Sequence, residues 1–298
     1  MIIRINNKLS VFLLAFMLFH ADFSHALEIA VFKSTDIKPY NDALEGFKKS
    51  CGCTVEEISF QDMEHREIQA AIRDVRADAV LAIGMDALSH ARLLKNLPVI
   101  YTMVPNAPQQ QSLSGVSMFI PPGNYLEAIN DLFPNAKRIG VVYDGHFNEA
   151  FMKEAAVEAQ KMGLQLVMKT VSRAADAPAL IDRMGDDIDL FWMIPDAVVA
   201  TPEVVNRLLL FSFQHRVPVF TFSKKYLDMG AAAGITINPV DIGLQTGEIA
   251  KKIFREGNGM SPVRVNARKT VTMINRKIAR KLGLRVRENI VDRDEDAR

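Results

Sequence analysis

The sequence feature that most constrains the fold is a repeated alternation of short apolar strands with helices. The first series has predicted strands at 28–32, 54–60, 79–83 and 99–103. A second series begins near Lys137, with predicted strands at 138–143, 164–171, 190–194 and 217–222. Strands that alternate with helices in this way predict parallel sheets covered on both faces. The predicted fold class is therefore α/β, with two similar doubly wound parallel-sheet lobes.

The two series overlay with a constant offset over much of their length. Ile29 and Ile139 are separated by 110 positions, as are Asp86 and Asp196, each of which follows a predicted strand. Any two α/β segments look alike at low resolution, but agreement at two places with one offset favours a shared architecture. Because open parallel sheets bind ligands beyond the carboxyl ends of their strands, two such lobes predict a cleft between them.

Later segments of the chain return to each lobe. Residues 27–118 and 230–262 are assigned to the first lobe, and residues 119–229 and 263–287 to the second. Residues 288–298 are dense in charge and nearly free of large apolar groups, which predicts a flexible charged tail.

The first 26 residues have the pattern of a secretory signal. Arg4 and Lys8 precede an apolar run at 11–19, and the segment ends in small residues at Ser24 and Ala26. A membrane anchor is the alternative, but a bilayer-spanning helix needs roughly 20 apolar residues. We therefore expect removal after about Ala26. No cysteine stands at the predicted cut, so no lipid anchor is expected, and the predicted location is the periplasm.

Composition excludes several classes of function. The formal net charge is +1, which gives no electrostatic support for a nucleic-acid partner. Two cysteines are too few for a disulfide scaffold or a zinc ribbon. They stand as Cys51-Gly52-Cys53, for which a plain turn is favoured over a disulfide and over a metal pair.

Motifs of common enzymes are missing from the sequence. It contains neither G-x-G-x-x-G nor G-x-x-x-x-G-K-[ST], and neither G-x-S-x-G nor H-E-x-x-H. His65-Arg66-Glu67 matches half of a zinc-deaminase signature whose cysteine half is absent. The chain is therefore predicted not to be an enzyme, with no cofactor and no metal.

A family resemblance is carried by several stretches in their order and spacing. They read PNAKRIGV (134–141), IPD (194–196), TPE (201–203), VPVF (217–220), IGLQTGE (242–248) and NRKIARKLG (275–283). In these stretches the chain resembles the ABC-transporter substrate-binding proteins whose best-known branch handles tryptophan and tyrosine. The resemblance implies a type I periplasmic-binding fold with a three-crossing hinge. It also implies a small molecule clamped between the lobes and delivered to an inner-membrane permease with its ATPase.

The chain departs from that branch in two loops. In that branch the first of these loops resembles Gly-Thr, whereas this chain has Gly84-Met85-Asp86. The second loop resembles Ser-Asp-Pro, whereas this chain has Pro105-Asn106-Ala107. The departures remove hydroxyl groups that a zwitterion could use. An aromatic amino acid is therefore one candidate ligand among others.

Candidate ligand-binding residues follow from the loops at the carboxyl ends of the strands. The first lobe contributes Lys33, Tyr40, Met85, Asp86, Thr102 and Asn106, and the second contributes Asp144, His146, Phe147, Asn148, Asp196 and Ser223.

Each group has an expected role. A helix starting near Asn148 could receive a ligand anion, while Asp86 and Asp196 could accept from an ammonium. Tyr40 or Phe147 could pack on an apolar part of the ligand. The alternatives are that Asp86 and Asn148 only cap helices and that Lys33 is either solvated or paired with Asp36. Asp196 is the strongest single candidate.

The function predicted from the sequence is that of a monomeric extracytoplasmic solute-binding protein feeding an ABC permease. One alternative is a ligand-binding module for a membrane sensor. Another is an exported hydrolase on the same scaffold.

Overall fold

Two parallel-dominated sheets organise the part of the chain that the computed structural model describes, residues 27–105, 113–256 and 261–284. The predicted signal segment, Asn106 and the predicted tail at 288–298 lie outside these ranges. The strands are β1 (Glu28–Lys33), β2 (Thr54–Ser59), β3 (Ala79–Ile83), β4 (Val99–Val104), β5 (Ser114–Ser117), β6 (Arg138–Asp144), β7 (Gln165–Val171), β8 (Leu190–Trp192), β9 (Val219–Thr221), β10 (Ala233–Ile237), β11 (Arg264–Asn266) and β12 (Thr270–Ile274).

Helices cover both sheets. They are α1 (Lys38–Cys51), α2 (His65–Arg73), α3 (Met85–Ala91), α4 (Pro122–Leu132), α5 (Gly145–Lys161), α6 (Ala177–Asp182), α7 (Pro202–His215), α8 (Lys224–Met229), α9 (Pro239–Glu256) and α10 (Arg276–Lys281), with a 3₁₀ turn at Ala174–Asp176. The strand order is β11-β5-β4-β3-β1-β2 in the first sheet and β12-β10-β9-β8-β6-β7 in the second. The first five strands of each sheet in chain order occupy equivalent places, so the predicted fold class of two similar α/β lobes is confirmed.

The central strands are apolar on both faces because helices lie on each side. All of β3 is buried, and so are the last five residues of β1. Burial of both faces explains why these segments read as continuous apolar runs rather than as alternating patterns.

Glycines let α1 and α9 approach each other closely in the first lobe. A Cβ at Gly243 would lie within 1.9 Å of the Ala43 carbonyl oxygen, and one at Gly46 within 2.0 Å of the Val240 carbonyl oxygen. The Ser50 hydroxyl donates to the Leu244 carbonyl oxygen at 2.7 Å across the same interface. This contact holds α9 in the first lobe although the strand before it belongs to the second.

The lobe boundaries differ from the predicted ones at two places. β10 pairs with β9 and β12 in the second sheet, whereas the sequence assigned 230–262 as a whole to the first lobe. β11 pairs with β5 in the first sheet, whereas 263–287 was assigned to the second. A single extended segment was predicted at 263–274, and the structure divides it between two sheets. Strand periodicity alone does not reveal the pairing partner.

The disulfide that the sequence ranked second is present. Cys51 and Cys53 are bonded, with their Cα atoms 5.3 Å apart. Gly52 between them has a φ of 64°, a left-handed conformation that suits glycine at the end of a helix. The turn was therefore predicted correctly, but the preference for unbonded cysteines was wrong.

Candidate functional site

All three crossings between the lobes leave from the carboxyl ends of strands. Ser117 ends β5 and pairs with Asn266, the last residue of β11. Ile237 ends β10 and pairs with Thr270, the first residue of the antiparallel β12. The crossings are therefore 118–121, Asn238 and 267–269.

Short connections hold these two sheet edges near each other. Asn266 and Thr270 are four residues apart, so their Cα atoms are separated by at most about 14 Å. The Ala267 amide donates to the Ser117 carbonyl oxygen at 2.9 Å, and the Asn238 amide donates to the Lys269 carbonyl oxygen at 3.1 Å. The carboxyl edges of both sheets therefore border the same interlobe space.

An ion-pair network fastens the third crossing to the first lobe. The Arg268 guanidinium contacts both Glu248 carboxylate oxygens, at 2.8 and 3.0 Å, and Asp241 at 3.1 Å. Hydrogen bonds to Glu248 and Asp241 raise the pKa of Arg268 although burial opposes them. Lys269 also pairs with Asp241, at 3.2 Å.

The Lys33 side chain is buried, and its ammonium is paired with neighbouring polar groups. Its ammonium lies 2.9 Å from the Asn41 side-chain oxygen, 3.4 Å from Asp36 and 3.4 Å from Glu57, and the side chain is buried. The pKa of Asp36 is lowered by its hydrogen bond from Asn41 and then by the charge of Lys33. The predicted alternative, pairing with Asp36, is what the structure contains. The ammonium is directed to these partners and not to the cleft.

The loop after β3 brings Tyr40, Met85 and Asp86 together. The Ser34 hydroxyl donates to the Ile83 carbonyl oxygen and accepts from the Ala87 amide at 2.9 Å, which links the strand end to α3. A Cβ at Gly84 would meet the hydroxyls of both Ser34 and Tyr40, at 2.6 and 2.7 Å.

The exposed groups of this loop are Met85 and Asp86. Met85 is 39% exposed and Asp86 is also exposed, in the first turn of α3. Burial, and then the charge of Asp86, raise the pKa of the half-buried Tyr40 phenol. Asp86 is not the N-cap, a position held by Gly84, and its side chain does not cap the helix.

Thr102 lies below this edge. It is fully buried within β4, two residues before the strand ends, and its carbonyl oxygen accepts from the Gly84 amide at 3.0 Å. Among the described residues its hydroxyl has no hydrogen-bond partner. Its burial places it behind the surface formed by Tyr40 and Met85.

Asp196 has a different role from the predicted one. It is 2% exposed, and one carboxylate oxygen accepts from the amides of Val198 and Val199, at 2.9 and 3.0 Å. The other accepts from the Asp144 amide and the Asn148 side-chain amide, both at 2.7 Å. A carboxylate offers about four acceptor sites, and all are used. Asp196 therefore holds Asn148 and the loop before α5 in place and has no capacity left for a ligand ammonium.

The helix after β6 begins earlier than predicted. Asp144 is its N-cap and accepts from the His146 amide at 2.8 Å, whereas the sequence placed the cap at Asn148. Asn148 is in the first turn, where its side chain binds Asp196. Asp144 therefore takes one of the amides of the helix N-terminus at which the sequence predicted an anion.

Aromatic side chains dominate the second-lobe edge. Phe147 is 78% exposed and stacks edge-on against exposed His146, with ring centroids 4.7 Å apart. Phe151 lies one turn later on α5. Its ring centroid is 6.2 Å from that of Phe119, in the first crossing, and 5.8 Å from that of buried Trp192. Phe119 is 41% exposed.

Phe119 and Phe151 were missed by sequence reasoning. The spacing of Phe147 and Phe151 by one helical turn was a usable signal, because residues four apart share a helix face. Phe119 could be found only once the crossing was located.

Ser223 belongs to a helix cap. Its hydroxyl accepts from the Lys225 amide at 3.3 Å at the start of α8. Two surface depressions, of about 460 and 380 Å³, lie beside Thr170 and beside Pro134, and neither is lined by a predicted site residue.

The described residues include no group of three or more His, Cys, Asp or Glu side chains able to hold a metal ion. No helix within 27–105, 113–256 or 261–284 has the length and hydropathy of a membrane span.

The two α/β lobes, whose sheets both border the interlobe space with their carboxyl edges, define a two-lobed binding protein of the type I periplasmic-binding class. The family model of ABC transporter substrate binding proteins matches residues 56–297. The chain belongs to this family.

Individual relatives share the fold at low sequence identity. A tyrosine-binding protein of Clostridioides difficile (strain R20291) is 22% identical over 228 residues, which cover 70% of this chain and 65% of that protein. The chain thus spans slightly less than two thirds of that relative's length.

Two solved structures match most of the chain. The ligand-free, open form of a substrate-binding protein with adhesive properties from Clostridium difficile has a TM-score of 0.71 and 21% identity, covering 90% of this chain and 98% of that one. A domain from Streptococcus pneumonia in complex with L-Trp has a TM-score of 0.58 and 20% identity, covering 89% and 97%.

Proposed function

We propose that this protein captures a small, amino-acid-like molecule between its lobes and delivers it to an ABC-transporter permease outside the cytoplasm. The observation that carries the proposal is that all three crossings join the carboxyl edges of two parallel sheets. Exposed Met85 and Asp86 stand on one edge, and exposed His146 and Phe147 on the other. A ligand that contacts both edges stabilises the closed arrangement by its differential affinity for it.

Family membership supports the transport role over sensing and over catalysis. The matching model describes substrate-binding proteins of ABC transporters, and the relatives include proteins described as binding tyrosine or L-Trp. An exported location is consistent with the Cys51–Cys53 disulfide, because such bonds persist in oxidising compartments.

The test is to identify small molecules released from gently purified protein by mass spectrometry and to measure the melting temperature with each. A true ligand raises the melting temperature with its concentration and reduces the radius of gyration in X-ray scattering. With the cognate permease and ATPase in proteoliposomes, the loaded protein should stimulate ATP hydrolysis. Chemical conversion of the bound molecule would instead support an enzyme.

A further inference from the structure

A pair of histidines bridges two helices of the first lobe. His65 is the first residue of α2, and His90 lies in the last turn of α3. Their ring centroids are 5.7 Å apart, with an interplanar angle of 43°. The Gln69 side-chain nitrogen lies 3.5 Å from His90 Nδ1. None of the candidate ligand-binding residues belongs to this cluster, so the proposed transport function leaves it unexplained.

The start of α2 is fixed by local hydrogen bonds. In a capping box, the Glu64 carboxylate accepts from the Glu67 amide and the Glu67 carboxylate accepts from the Glu64 amide. Glu67, which forms half of a zinc-deaminase signature with His65, is thus used in the cap. Because residues four apart share a helix face, Gln69 lies one turn beyond His65 on the same side of α2.

The His90 ring is held by a different neighbour. The ring of buried Phe60 meets it edge-on, with centroids 5.3 Å apart and an interplanar angle of 82°. His90 is half-buried, whereas His65 is exposed. The pair therefore combines one imidazole packed against the core with one that solvent reaches.

The separation of the two rings suits a shared metal ion. A zinc–nitrogen bond of about 2.0–2.1 Å places the centroid of a ligating imidazole about 3.2 Å from the ion. Two such rings at the tetrahedral angle have centroids about 5.3 Å apart. The observed 5.7 Å corresponds to an angle of about 120° at the ion. The spacing is therefore within reach of two imidazoles on one ion.

The surroundings also favour a bound cation. Rotation of the Gln69 side chain exchanges its amide oxygen and nitrogen. With the oxygen toward Nδ1 of His90, Gln69 accepts the ring proton and leaves Nε2 unprotonated for a metal. Carboxylates lie nearby on both helices, at Glu64 and Glu67 beside His65 and at Asp86, one turn before His90.

We propose that His65 and His90 bind one divalent transition-metal ion of the zinc, nickel and copper class, which joins α2 to α3. Imidazole nitrogen suits these ions, whereas magnesium and calcium prefer oxygen ligands. Within the described part of the chain no third His, Cys, Asp or Glu completes the set, so water fills the other coordination positions. Gln69 is a positioning residue. The inference does not depend on the proposed function.

The experiment titrates the exported protein, purified without a polyhistidine tag and freed of metal with EDTA, with Zn²⁺, Ni²⁺ and Mg²⁺. Calorimetry measures the affinity, and thermal shift measures the stabilisation. We expect Zn²⁺ and Ni²⁺ to bind and to raise the melting temperature with their concentration, and Mg²⁺ to do neither.

Four variants test the assignment. His65→Ala and His90→Gln should each weaken Zn²⁺ binding at least about tenfold, because loss of an outer contact alone costs about 10- to 100-fold. Since His65 is exposed, His65→Ala should leave the metal-free melting temperature unchanged. His215→Ala, at an exposed histidine of the second lobe, should not change the affinity. Gln69→Glu should tighten Zn²⁺ binding about tenfold, because a carboxylate accepts the ring proton more strongly than an amide.

The inference is overturned if Zn²⁺ binds only above about 1 mM, if Mg²⁺ binds as tightly, or if either histidine variant keeps Zn²⁺ affinity within about twofold. An affinity unchanged in Gln69→Glu would contradict the positioning role. A protein that binds its solute but no Zn²⁺ would overturn this inference and leave the proposed function standing.

Discussion

The same substitution, Asp to Asn, should affect the free energy of unfolding very differently at the equivalent positions Asp86 and Asp196, because the environments of the two carboxylates differ. Changing Asp196 to Asn replaces one carboxylate oxygen with an NH₂ group. The new NH₂ group would face either the Val198 and Val199 amides or the Asp144 amide, since the Asn148 carboxamide can rotate to present its oxygen. Each lost charge-assisted bond costs about 1.5–3 kcal/mol, so one or two lost bonds should lower the free energy of unfolding by about 1.5–6 kcal/mol.

The loss is a large fraction of the stability of an ordinary domain, about 5–15 kcal/mol. Urea unfolding followed by fluorescence suits this test, because the chain has a single tryptophan, Trp192, in the second lobe. Asp86→Asn is the matched control, and its exposed carboxylate should change stability by no more than about 0.5 kcal/mol.

The reasoning fails if Asp196→Asn costs less than about 1 kcal/mol, since the four hydrogen bonds would then contribute little. It also fails if Asp86→Asn destabilises the protein equally. In either case Asp196 would not be the group that holds the loop before α5.

Three further predictions follow from contacts elsewhere in the fold. Phe147→Ala should weaken ligand binding about tenfold in calorimetry with an unchanged melting temperature, whereas Val157→Ala, also exposed on α5, should alter neither. Gly243→Ala should lower the free energy of unfolding in urea by about 1–3 kcal/mol because its Cβ would strike a backbone carbonyl oxygen. Gly123→Ala, whose Cβ would be 3.6 Å from the nearest side-chain atom, should be neutral or stabilising, and equal losses would contradict the close helix contact. Replacing both cysteines of the Cys51–Cys53 bridge by Ser should cost roughly 1–2 kcal/mol in urea unfolding. Ligand affinity should not change, and a loss of affinity would show that the bridge acts on the cleft.

Much of the fold could be predicted from the sequence because strand and helix patterns are local. The apolar runs at β1, β3, β6 and β8 are continuous since both sheet faces are covered, and such runs are visible without a structure. The 110-residue offset between Asp86 and Asp196 also identified equivalent places in two lobes. Positions along the chain therefore indicated which loops border the cleft.

The sequence by itself determined the α/β class, the duplication of the lobes and the loops from which a site is built. Tertiary structure alone decided that β10 and β11 pair in opposite sheets, and that Asp196 is saturated by four donors while Asp86 is open. The physical reason is range: helix and strand periodicity depends on neighbours a few residues away. Sheet pairing and hydrogen-bond saturation also depend on groups that are distant along the chain, such as Asp144, which is 52 residues before Asp196, and β5, which pairs with β11 although Ser117 and Asn266 are 149 positions apart.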